Sequence, residues 1–284
     1  MKLSCVVLTM GDRPTELRRG LDSVRAQRGE PIEIVVVGNG APVSGLGDDV
    51  VHVSLPENVG LPAGRNRGAE ASHGDVICFL DDDGWYPDEG LGDWVRARFA
   101  TDPNLGVLSF RIVDEDGASA RRHVPRLRAG DPLRSGEVTT FLGGACAIRR
   151  AVIDEVGGLP DEFFWTHEET DFAWRALEAG YRIVYDAHAV MGHPCTSPAR
   201  HANFYRMNAR NRVWLARRNL PLPLAVGYVG DWVALTLARE RSLASLRPWF
   251  RGLSEGLSAP AGARRPISWR TAWRMTRLGR PPVV

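Results

Sequence analysis

Three consecutive aspartates, Asp81, Asp82 and Asp83, follow a short apolar run in the segment CFLDDDGW at residues 78 to 85. Two carboxylates about 4 Å apart repel by about 1 kcal/mol even in bulk water, and by more beside a low-dielectric wall. An acidic surface turn is the usual interpretation of a lone Asp-Asp pair, but three aspartates at the end of a buried strand favour a bound cation. Since carboxylate oxygens suit Mg²⁺ or Mn²⁺, which keep open positions for phosphate oxygens, the pattern predicts a metal-diphosphate site.

A second acidic group, Glu168 and Glu169, begins the helical pattern in HEETDFAWR at residues 167 to 175. The apolar residues that follow recur at helical spacing, so both acids are expected in the first turn, beside unpaired backbone amides. Acidic residues commonly occupy this place as helix caps, and the residues alone favour that interpretation. Asp171, further along, is expected to have a structural part in the helix.

The N-terminal part of the chain alternates the patterns of strands and helices. Strands are predicted over 3–9, 32–37, 50–55 and 75–80, and helices over 15–26, 63–71 and 90–100. Such alternation indicates an α/β fold with a doubly wound, mostly parallel sheet. Ligands bind beyond the carboxyl ends of strands in these sheets, which places residues 9–13, 38–40 and 81–83 around one crevice.

The rest of the chain does not show the regular alternation of strand and helix patterns. Strand patterns at 105–112 and 141–150 flank a polar loop over 123–137 that is long enough to act as a lid. From about residue 199 the sequence becomes helical and rich in arginine, and the last thirty residues resemble loosely structured chain. We therefore expect a catalytic and nucleotide-binding domain at 1–198 and a C-terminal helical extension at 199–284.

Composition limits the class of protein. The chain has 284 residues, of which 44% are hydrophobic and 25% charged, and its formal net charge is +2. These values are typical of a soluble globular protein. The segment 220–238 is long enough to span a membrane but contains Asp231, so a packed or interfacial helix is favoured.

The cysteines indicate the compartment. They are scattered, with no Cys-x-x-Cys pair, and therefore predict buried reduced thiols in a cytosolic protein: Cys5, Cys78, Cys146 and Cys195. We expect a cytoplasmic location, with peripheral contact at the inner face of the membrane as an open alternative, and no nucleic-acid partner.

Five blocks of the sequence, in order, resemble the successive motifs of family 2 glycosyltransferases with the GT-A fold, over about residues 3 to 193. They read SCVVLTMGDRPTELRRGLDSVRAQ, IEIVVVGNG, ENVGLPAGRNRGAEASHGDVICFLDDDGWYPDEGL, GGACAIRRAVIDEVGGLPDEFF and HEETDFAWRALEAGYRIVYDAHAVMGH. No single block would suffice, but their order and spacing are specific. The later stretch RMNARNRVWLARRNLP resembles, more weakly, the tail helix of rhamnosyltransferase-like members.

The resemblance implies a nucleoside-diphosphate sugar as donor and Mn²⁺ or Mg²⁺ as cofactor. Asp83 would hold the metal, Asp81 would face the donor ribose or join the metal, and His193 would be a further metal ligand. On its own, a histidine after a strand is more often structural, so both interpretations of His193 stay open. The predicted crevice and the resemblance together nominate six donor-binding residues: Thr9, Gly11, Asn39, Arg65, Asp81 and Asp82.

The resemblance also implies a catalytic base. Glu169 aligns with the aspartate that removes a proton from the acceptor hydroxyl, and Glu168 is the fallback. The implied function is an inverting, metal-dependent glycosyltransferase. Two residues depart from the pattern: Glu169 is a glutamate in place of the aspartate, and Gly38 stands where members usually carry an aspartate that pairs with the donor base. A uracil-specific donor is therefore in doubt, and thymidine or guanosine diphosphate sugars remain open.

Two other functions stay open. The Gly38 and Glu169 departures would also fit a non-catalytic nucleotide-sugar-binding protein. A GT-A-like sugar nucleotidyltransferase is the other, although the glycine-rich, lysine-bearing first loop that it would need is absent from TMGDRP.

The partners of the C-terminal region are not specified by any motif. The acceptor could be a glycan, a lipid-linked molecule or a small molecule. The C-terminal helices could form a solvated or homodimer surface or a patch for anionic lipid. Four aromatic residues fit internal packing as well as membrane contact: Trp249, Phe250, Trp269 and Trp273.

Overall fold

The computed structural model describes residues 1–127, 131–194 and 203–283. Its centre is a single sheet whose strands are β1 Leu3–Thr9, β2 Glu33–Asn39, β3 Val50–Leu55, β4 Val76–Asp81, β5 Leu105–Val113, β6 Gly136–Glu137, β7 Ala145–Arg149 and β8 Arg182–Gly192. Their spatial order is β3-β2-β1-β4-β7-β5-β8-β6. Strands β1 to β4 run parallel, as do β5 and β8, whereas β7 lies antiparallel between β4 and β5, and β6 is antiparallel to β8. The expected doubly wound, mostly parallel sheet is confirmed.

The helices of the described residues are α1 Pro14–Arg25, α2 Leu61–Ala71, α3 Leu91–Thr101, α4 Arg150–Val156, α5 Glu168–Glu178, α6 Phe204–Asn219, α7 Leu222–Arg239, α8 Leu243–Ser258 and α9 Trp269–Arg277. The strands and helices predicted before residue 113 are confirmed with small shifts at their ends. The strand predicted over 141–150 is too long, because a turn closed by the amide of Ala145 and the carbonyl of Leu142 precedes β7.

Successive strand residues point to opposite faces of the sheet, and each face has its own core. Val6 and Ile77 belong to one buried cluster, whereas their neighbours Val7 and Cys78 belong to the other. This alternation follows from the two-residue period of a strand. Both faces are apolar because a parallel sheet is covered by helices on each side.

The C-terminal helices share a core with the sheet. Trp214, Tyr228 and Met275 lie in the same buried cluster as Phe163 and the strand residues. The proposed domain boundary at 198/199 falls outside the described residues, so the division stays a proposal.

The expectation that the last thirty residues are loosely structured is wrong, because they contain α9. The hydroxyl of Ser268 caps this helix by accepting a hydrogen bond from the amide of Thr271, and Ala272 and Met275 are buried. A capped helix with one apolar face can pack even in a proline- and arginine-rich sequence.

Three further expectations can be compared with the fold. Cys5, Cys78 and Cys146 are free and buried as predicted, whereas Cys195 lies outside the described residues. The predicted lid loop contains β6, and its residues 128–130 lie outside the described part. Among the described helices, including α7, none has the length and apolar character needed to cross a membrane.

Candidate active site

The strands β1 and β4 end side by side at one edge of the sheet. Leu8 pairs with Asp81 in the parallel register, so Thr9 and the three aspartates emerge together. They border a cleft of about 820 Å³. The structure brings six of the predicted residues to this cleft: Thr9, Asn39, Asp81, Asp82, Asp83 and His193.

The middle aspartate is held by neighbours from the first loop. The hydroxyl of Thr9 donates to Asp82 Oδ2 at 2.8 Å, and Arg13 Nη1 donates to Asp82 Oδ1 at 3.3 Å. Burial raises the pKa of Asp82 to about 6, and the hydroxyl of Thr9 opposes that rise. Arg13 was not singled out by the sequence analysis, although it follows Thr9 in the predicted crevice.

The third aspartate is paired with two cations. Arg13 also forms an ion pair with Asp83, and His193 Nε2 lies 3.1 Å from Asp83 Oδ1. Burial alone would raise the pKa of Asp83, but the hydrogen bond from His193 and the charges of His193 and Arg13 outweigh it and lower the pKa. Asp83 is therefore ionised at neutral pH.

His193 is oriented by the residue that follows it. Its Nδ1 lies 2.7 Å from the carbonyl oxygen of Pro194, which leaves Nε2 directed at the aspartates, 3.9 Å from Asp81 Oδ2. Burial lowers the pKa of His193, but the hydrogen bond to Asp83 and the charges of both aspartates raise it overall. A ring fixed through one nitrogen is typical of histidines whose other nitrogen binds a metal.

The donor set of Asp81, Asp83 and His193 fits Mn²⁺ or Mg²⁺ in its chemistry, since carboxylate oxygens and one imidazole nitrogen converge. As the side chains stand, no group of three or more His, Cys, Asp and Glu residues in the described ranges is arranged around a metal position. The reason is that these residues bond to one another, to Arg13 and to Arg65. Metal binding would require the cations to release the carboxylates.

Arg65 connects the aspartates to the glutamates. It is 5% exposed, and it donates to Asp81 Oδ1 at 2.9 Å and to Glu168 Oε1 at 3.3 Å. Two glycines make room for this pair: a Cβ at Gly143 would lie 2.8 Å from Arg65, and one at Gly144 would lie 2.1 Å from the Asp81 carboxylate. The sequence analysis noted these paired glycines without assigning them a part in the site.

Glu168 and Glu169 open α5, as predicted. Glu168 is 3% exposed and Glu169 is half-buried, and in the described structure Oε2 of each has no hydrogen-bond partner. Burial, with the charge of Glu168, raises the pKa of Glu169 to about 8. A carboxyl group that titrates near neutral pH can accept a proton during a reaction.

Asp171 has the structural part expected of it. It is fully buried and accepts hydrogen bonds from Arg175 at 2.9 Å, from Arg218 at 2.9 Å and from Asn219 at 2.6 Å. Because Arg218 and Asn219 belong to α6, this carboxylate fastens α5 to the C-terminal helices.

The loop before α5 is bent by backbone conformations that side chains rarely adopt. Phe164, Thr166 and His167 have φ values of 64°, 70° and 67°. The side-chain amide of Asn211 in α6 holds this loop by donating to the carbonyl oxygens of residues 163, 165 and 166 at 3.0, 2.6 and 2.9 Å. Phe164 and Trp165 consequently line the cleft. No sequence signal distinguished Asn211 from the other polar residues of its helix.

Asn39 and Gly11 shape the rim of the cleft. Asn39 Oδ1 accepts from the amide of Val59 at 2.9 Å, and its Nδ2 donates to Asn58 at 3.0 Å, so the side chain orders that loop. Gly11, with φ of 75°, donates its amide to the hydroxyl of Thr9 at 3.0 Å. Contact of either residue with a donor stays a prediction.

The absence of a side chain at position 38 has a steric reason. A Cβ at Gly38 would lie 2.6 Å from the carbonyl oxygen of Ala41. An aspartate would therefore require the turn over 41–43 to move. The path of the backbone therefore leaves no room at position 38 for the aspartate that the resemblance leads one to expect.

Comparison with known proteins agrees with this geometry. Residues 4–157 match the family model described as glycosyl transferase family 2. The chain is 27% identical to a pre-mycofactocin glycosyltransferase of Mycobacterium tuberculosis over 82% of its own length and 52% of the relative. It is 28% identical to a glucosyl-dolichyl phosphate glucuronosyltransferase of Haloferax volcanii, over 68% of this chain and 69% of the relative. The chain thus spans about half the length of the first of these relatives.

Solved structures share the fold. GalNAc-T7, solved with UDP, GalNAc and Mn²⁺, superposes with a TM-score of 0.65 at 15% identity, over 92% of this chain and 56% of that chain. The likeness confirms the GT-A fold. The family match extends from β1 to the end of α4, includes Arg65 and the three aspartates, and covers more than half of the residues. The chain therefore belongs to glycosyl transferase family 2.

Proposed function

We propose that the chain is an inverting glycosyltransferase that moves a sugar from a nucleoside-diphosphate donor to an acceptor hydroxyl. The observation that carries this proposal is the meeting of Asp81, Asp83 and His193 in one cleft, joined through Arg65 to the glutamates of α5. The names of both relatives, as glycosyltransferases, support it. The UDP and Mn²⁺ in GalNAc-T7 support the donor class and the metal.

The donor side would be formed by residues at the ends of β1 and β4. Asp83, Asp81 and His193 would hold Mn²⁺ or Mg²⁺, which when bound stabilises the negative charge of the departing diphosphate. Thr9 fixes Asp82 beside them, and Arg65 holds Asp81 through a partly buried ion pair until the metal replaces it. Thr9, Gly11, Asn39 and Asp82 would border the nucleoside and diphosphate.

The acceptor side would use Glu169. Its carboxylate takes the proton of the acceptor hydroxyl as that oxygen forms a bond to the anomeric carbon. The bond from that carbon to the diphosphate oxygen breaks, and its electron pair leaves with the nucleoside diphosphate. Attack opposite the leaving group inverts the anomeric configuration. Glu168 is held by Arg65, and its charge raises the pKa of Glu169, which would strengthen Glu169 as a base.

Donor binding and turnover are tested separately. We expect one nucleoside diphosphate from a panel to raise the melting temperature more with Mn²⁺ than with EDTA, because a ligand that binds only the folded state stabilises it. Asp83→Asn should remove the Mn²⁺-dependent part, and Asp48→Asn, an exposed control, should not. Unchanged Mn²⁺ dependence in Asp83→Asn would exclude Asp83 from the site.

Turnover distinguishes an enzyme from a binding protein. Incubation with the sugar donor of the preferred nucleotide should release nucleoside diphosphate, by transfer or by slow hydrolysis. Binding without release, with a range of acceptors, would favour the non-catalytic nucleotide-sugar-binding protein.

We also propose which part of the chain binds the donor, which part shapes the acceptor side, and where in the cell the protein acts. Residues 1–198 would bind the donor, and residues 199–284 would shape the acceptor side, since Asn203 and Met207 border the same cleft as the aspartates. A cytoplasmic location with peripheral contact at the membrane is proposed on two observations. They are the free buried thiols and the exposed apolar residues of α7 and α8.

A further inference from the structure

A group of basic side chains lies near enough to Glu169 for their charges to interact. It consists of Arg212 from α6, Arg280 after α9, and His167 before α5, and we call it the basic cluster. The charges of Arg212 and Arg280 act on His167 and on each other, and the charge of Glu169 acts on Arg280. The three side chains therefore share one half-buried region near the proposed base, where burial lowers the pKa of His167 well below its usual range and leaves the two arginines as the charged members.

The two arginines of the basic cluster have no carboxylate partner among the described residues. Arg212 donates to Asn208 at 2.9 Å and to the hydroxyl of Tyr228 at 3.1 Å, and its guanidinium lies 3.3 Å from the centre of the Trp232 ring. No hydrogen bond or ion pair of the Arg280 side chain occurs within the described ranges.

Three other enclosed arginines of the described residues have a carboxylate partner. Arg65 pairs with Asp81 and Glu168, and Arg175 and Arg218 share Asp171. Burial lowers the pKa of Arg212 and of Arg280, which expresses the cost of keeping a charge away from water without a counter-ion. The basic cluster is therefore a place where an anion would be stabilised.

Neutral donors around the basic cluster also lack partners. In the described structure the hydroxyl of Thr166, the indole nitrogen of Trp232 and Nε2 of His167 are enclosed and make no hydrogen bond. Native proteins satisfy the great majority of buried polar groups. Thr166 adjoins His167 in the chain, and the Trp232 ring lies under the guanidinium of Arg212. Nitrogen and hydroxyl donors near two guanidiniums suit an oxyanion.

Resting on the proposed glycosyltransferase function, we propose that Arg212 and Arg280 bind an anionic group of the acceptor. The acceptor would carry a phosphate or carboxylate next to the hydroxyl that receives the sugar, so that binding this anion places the hydroxyl at Glu169. A guanidinium can bind two oxygens of such a group at once. The anion could come from a lipid-linked phosphate or from a soluble phosphate or carboxylate.

Calorimetric titration with small probes tests the subsite. The probes are octyl phosphate, phenyl phosphate, octanoate and uncharged octanol, all in EDTA so that the proposed metal site does not bind phosphate. We expect at least one anionic probe to bind and octanol to bind much more weakly. Arg280→Gln should weaken that anion by about tenfold or more, the usual worth of a charge-assisted hydrogen bond.

Matched variants separate charge from folding. Arg280→Lys should recover part of the affinity, and Arg277→Gln, an exposed arginine of α9, should leave it unchanged. Arg212→Lys is the second variant, because it keeps a charge over Trp232 while losing the forked donors, and it should also weaken the anion. If octyl phosphate is the only probe that binds, the anion of the natural acceptor belongs to a lipid. If phenyl phosphate or octanoate binds as tightly as octyl phosphate, the anion belongs to a soluble acceptor.

The inference and the proposed function fail in different ways. Anion affinity that is equal in the native chain, Arg280→Gln and Arg277→Gln would overturn the subsite, and so would a failure of every anionic probe to bind. Release of nucleoside diphosphate would be unaffected by either result. Anion binding that depends on Arg280, in a chain that turns over no donor, would instead overturn the proposed function.

Discussion

Glu168 and Glu169 are neighbours in one helix turn, yet their surroundings differ. Glu168 is held by Arg65, whereas Oε2 of Glu169 has no hydrogen-bond partner in the described chain, and burial raises its pKa. Two adjacent carboxyl groups cannot both ionise easily in a site of low polarity. The charge of Glu168 raises the pKa of Glu169, and this difference is the reason that we propose Glu169 as the base.

Replacement of Glu169 tests this assignment. Glu169→Gln keeps the size and hydrogen bonding of the side chain but cannot accept a proton. We expect the rate of sugar transfer to fall by about two to four powers of ten, the usual worth of a positioned base. Donor affinity, measured on the same protein, should change little, because the aspartates at the end of β4 bind the diphosphate.

The control for this substitution is Glu16→Gln, which changes an exposed acid in the first turn of α1 and should leave transfer unchanged. A nearly native rate in Glu169→Gln with a dead Glu168→Gln would move the base to Glu168. Full activity in both variants would remove the base from α5.

The pH dependence of transfer should follow the same carboxyl group. A base must be deprotonated, so kcat/KM should rise with pH, reach half of its maximum near the Glu169 pKa of about 8, and level off above it. Glu168→Gln removes the neighbouring negative charge, and the rising limb should then shift to lower pH. A limb at the same pH in native protein and Glu168→Gln would show that Glu168 does not tune the base.

The free energy of unfolding should fall with pH over the range in which kcat/KM rises. In the unfolded chain Glu169 ionises at its ordinary pKa of 4.5, whereas in the folded chain it holds its proton up to about pH 8. The unfolded state therefore binds fewer protons in this interval, and the contribution of Glu169 to the free energy of unfolding falls as pH rises through it. Glu169→Gln should flatten that part of the stability profile.

At the scale of elements, the loop between residues 163 and 167 depends on α6. Backbone conformations with positive φ at Phe164, Thr166 and His167 are each unfavourable for residues other than glycine. Asn211 compensates through three carbonyl contacts, and the amide of Leu61 donates to the carbonyl of Phe164 at 2.8 Å. A helix outside the family match thereby fixes where α5 begins.

Removal of the Asn211 amide should loosen this loop. We expect Asn211→Ala to lower the free energy of unfolding by about 1–3 kcal/mol, since three buried carbonyl groups lose a donor. Transfer should fall while Mn²⁺-dependent nucleoside diphosphate binding persists, because the aspartates do not lie on the loop. Asn104→Ala, at an exposed position, is the matched control. Native turnover in a destabilised Asn211→Ala would limit Asn211 to a role in folding.

At the scale of the whole molecule, the end of α7 and the first half of α8 expose apolar side chains on either side of a polar connection over 240–242. We call residues 237–250 the α7–α8 tip. Leu237, Leu243 and Phe250 are exposed there, with Leu243 at 67%, whereas Trp249 is buried at 5%. Of the four aromatic residues that fit packing as well as membrane contact, Trp249 is packed internally, whereas Phe250, Trp269 and Trp273 are exposed.

Positive charge surrounds the α7–α8 tip. It contains Arg239, Arg241 and Arg247, all exposed, and one glutamate, Glu240. Apolar side chains among arginines match the surface of an anionic membrane. This complementarity favours peripheral membrane contact over the homodimer, in which two tips of the same charge would meet.

Sedimentation with vesicles tests the tip. We expect the chain to bind vesicles that contain anionic phospholipid and to bind neutral vesicles weakly. Leu243→Ser should reduce binding by about tenfold, consistent with the transfer free energy of a leucine side chain. Leu133→Ser, at a position that is 63% exposed in the loop before β6, is the control. Absence of vesicle binding, with self-association that Leu243→Ser abolishes in analytical ultracentrifugation, would assign the tip to a homodimer.

Local patterns determined the scaffold of this protein. Apolar runs and helical periodicity predicted β1 to β5 and α1 to α3, because a strand or helix within a covered sheet must be apolar along its buried face. The order of these elements implied the crevice, since parallel strands end at one edge. The aspartates Asp81 to Asp83 and the first-turn position of Glu169 followed from the sequence for the same reason.

Contacts between distant segments were decided only by the tertiary structure. Arg13 meets Asp83 seventy positions away, Arg65 meets Glu168 103 positions away, and Asn211 holds a loop 45 to 48 positions upstream. No periodicity records such pairings, because each residue would fit an exposed position equally well. Contacts between distant segments also set the raised pKa of Glu169. They exclude a side chain at Gly38, and they leave Arg212 and Arg280 without a carboxylate partner among the described residues. These effects depend on how much water and which charges remain around a side chain once the helices have packed.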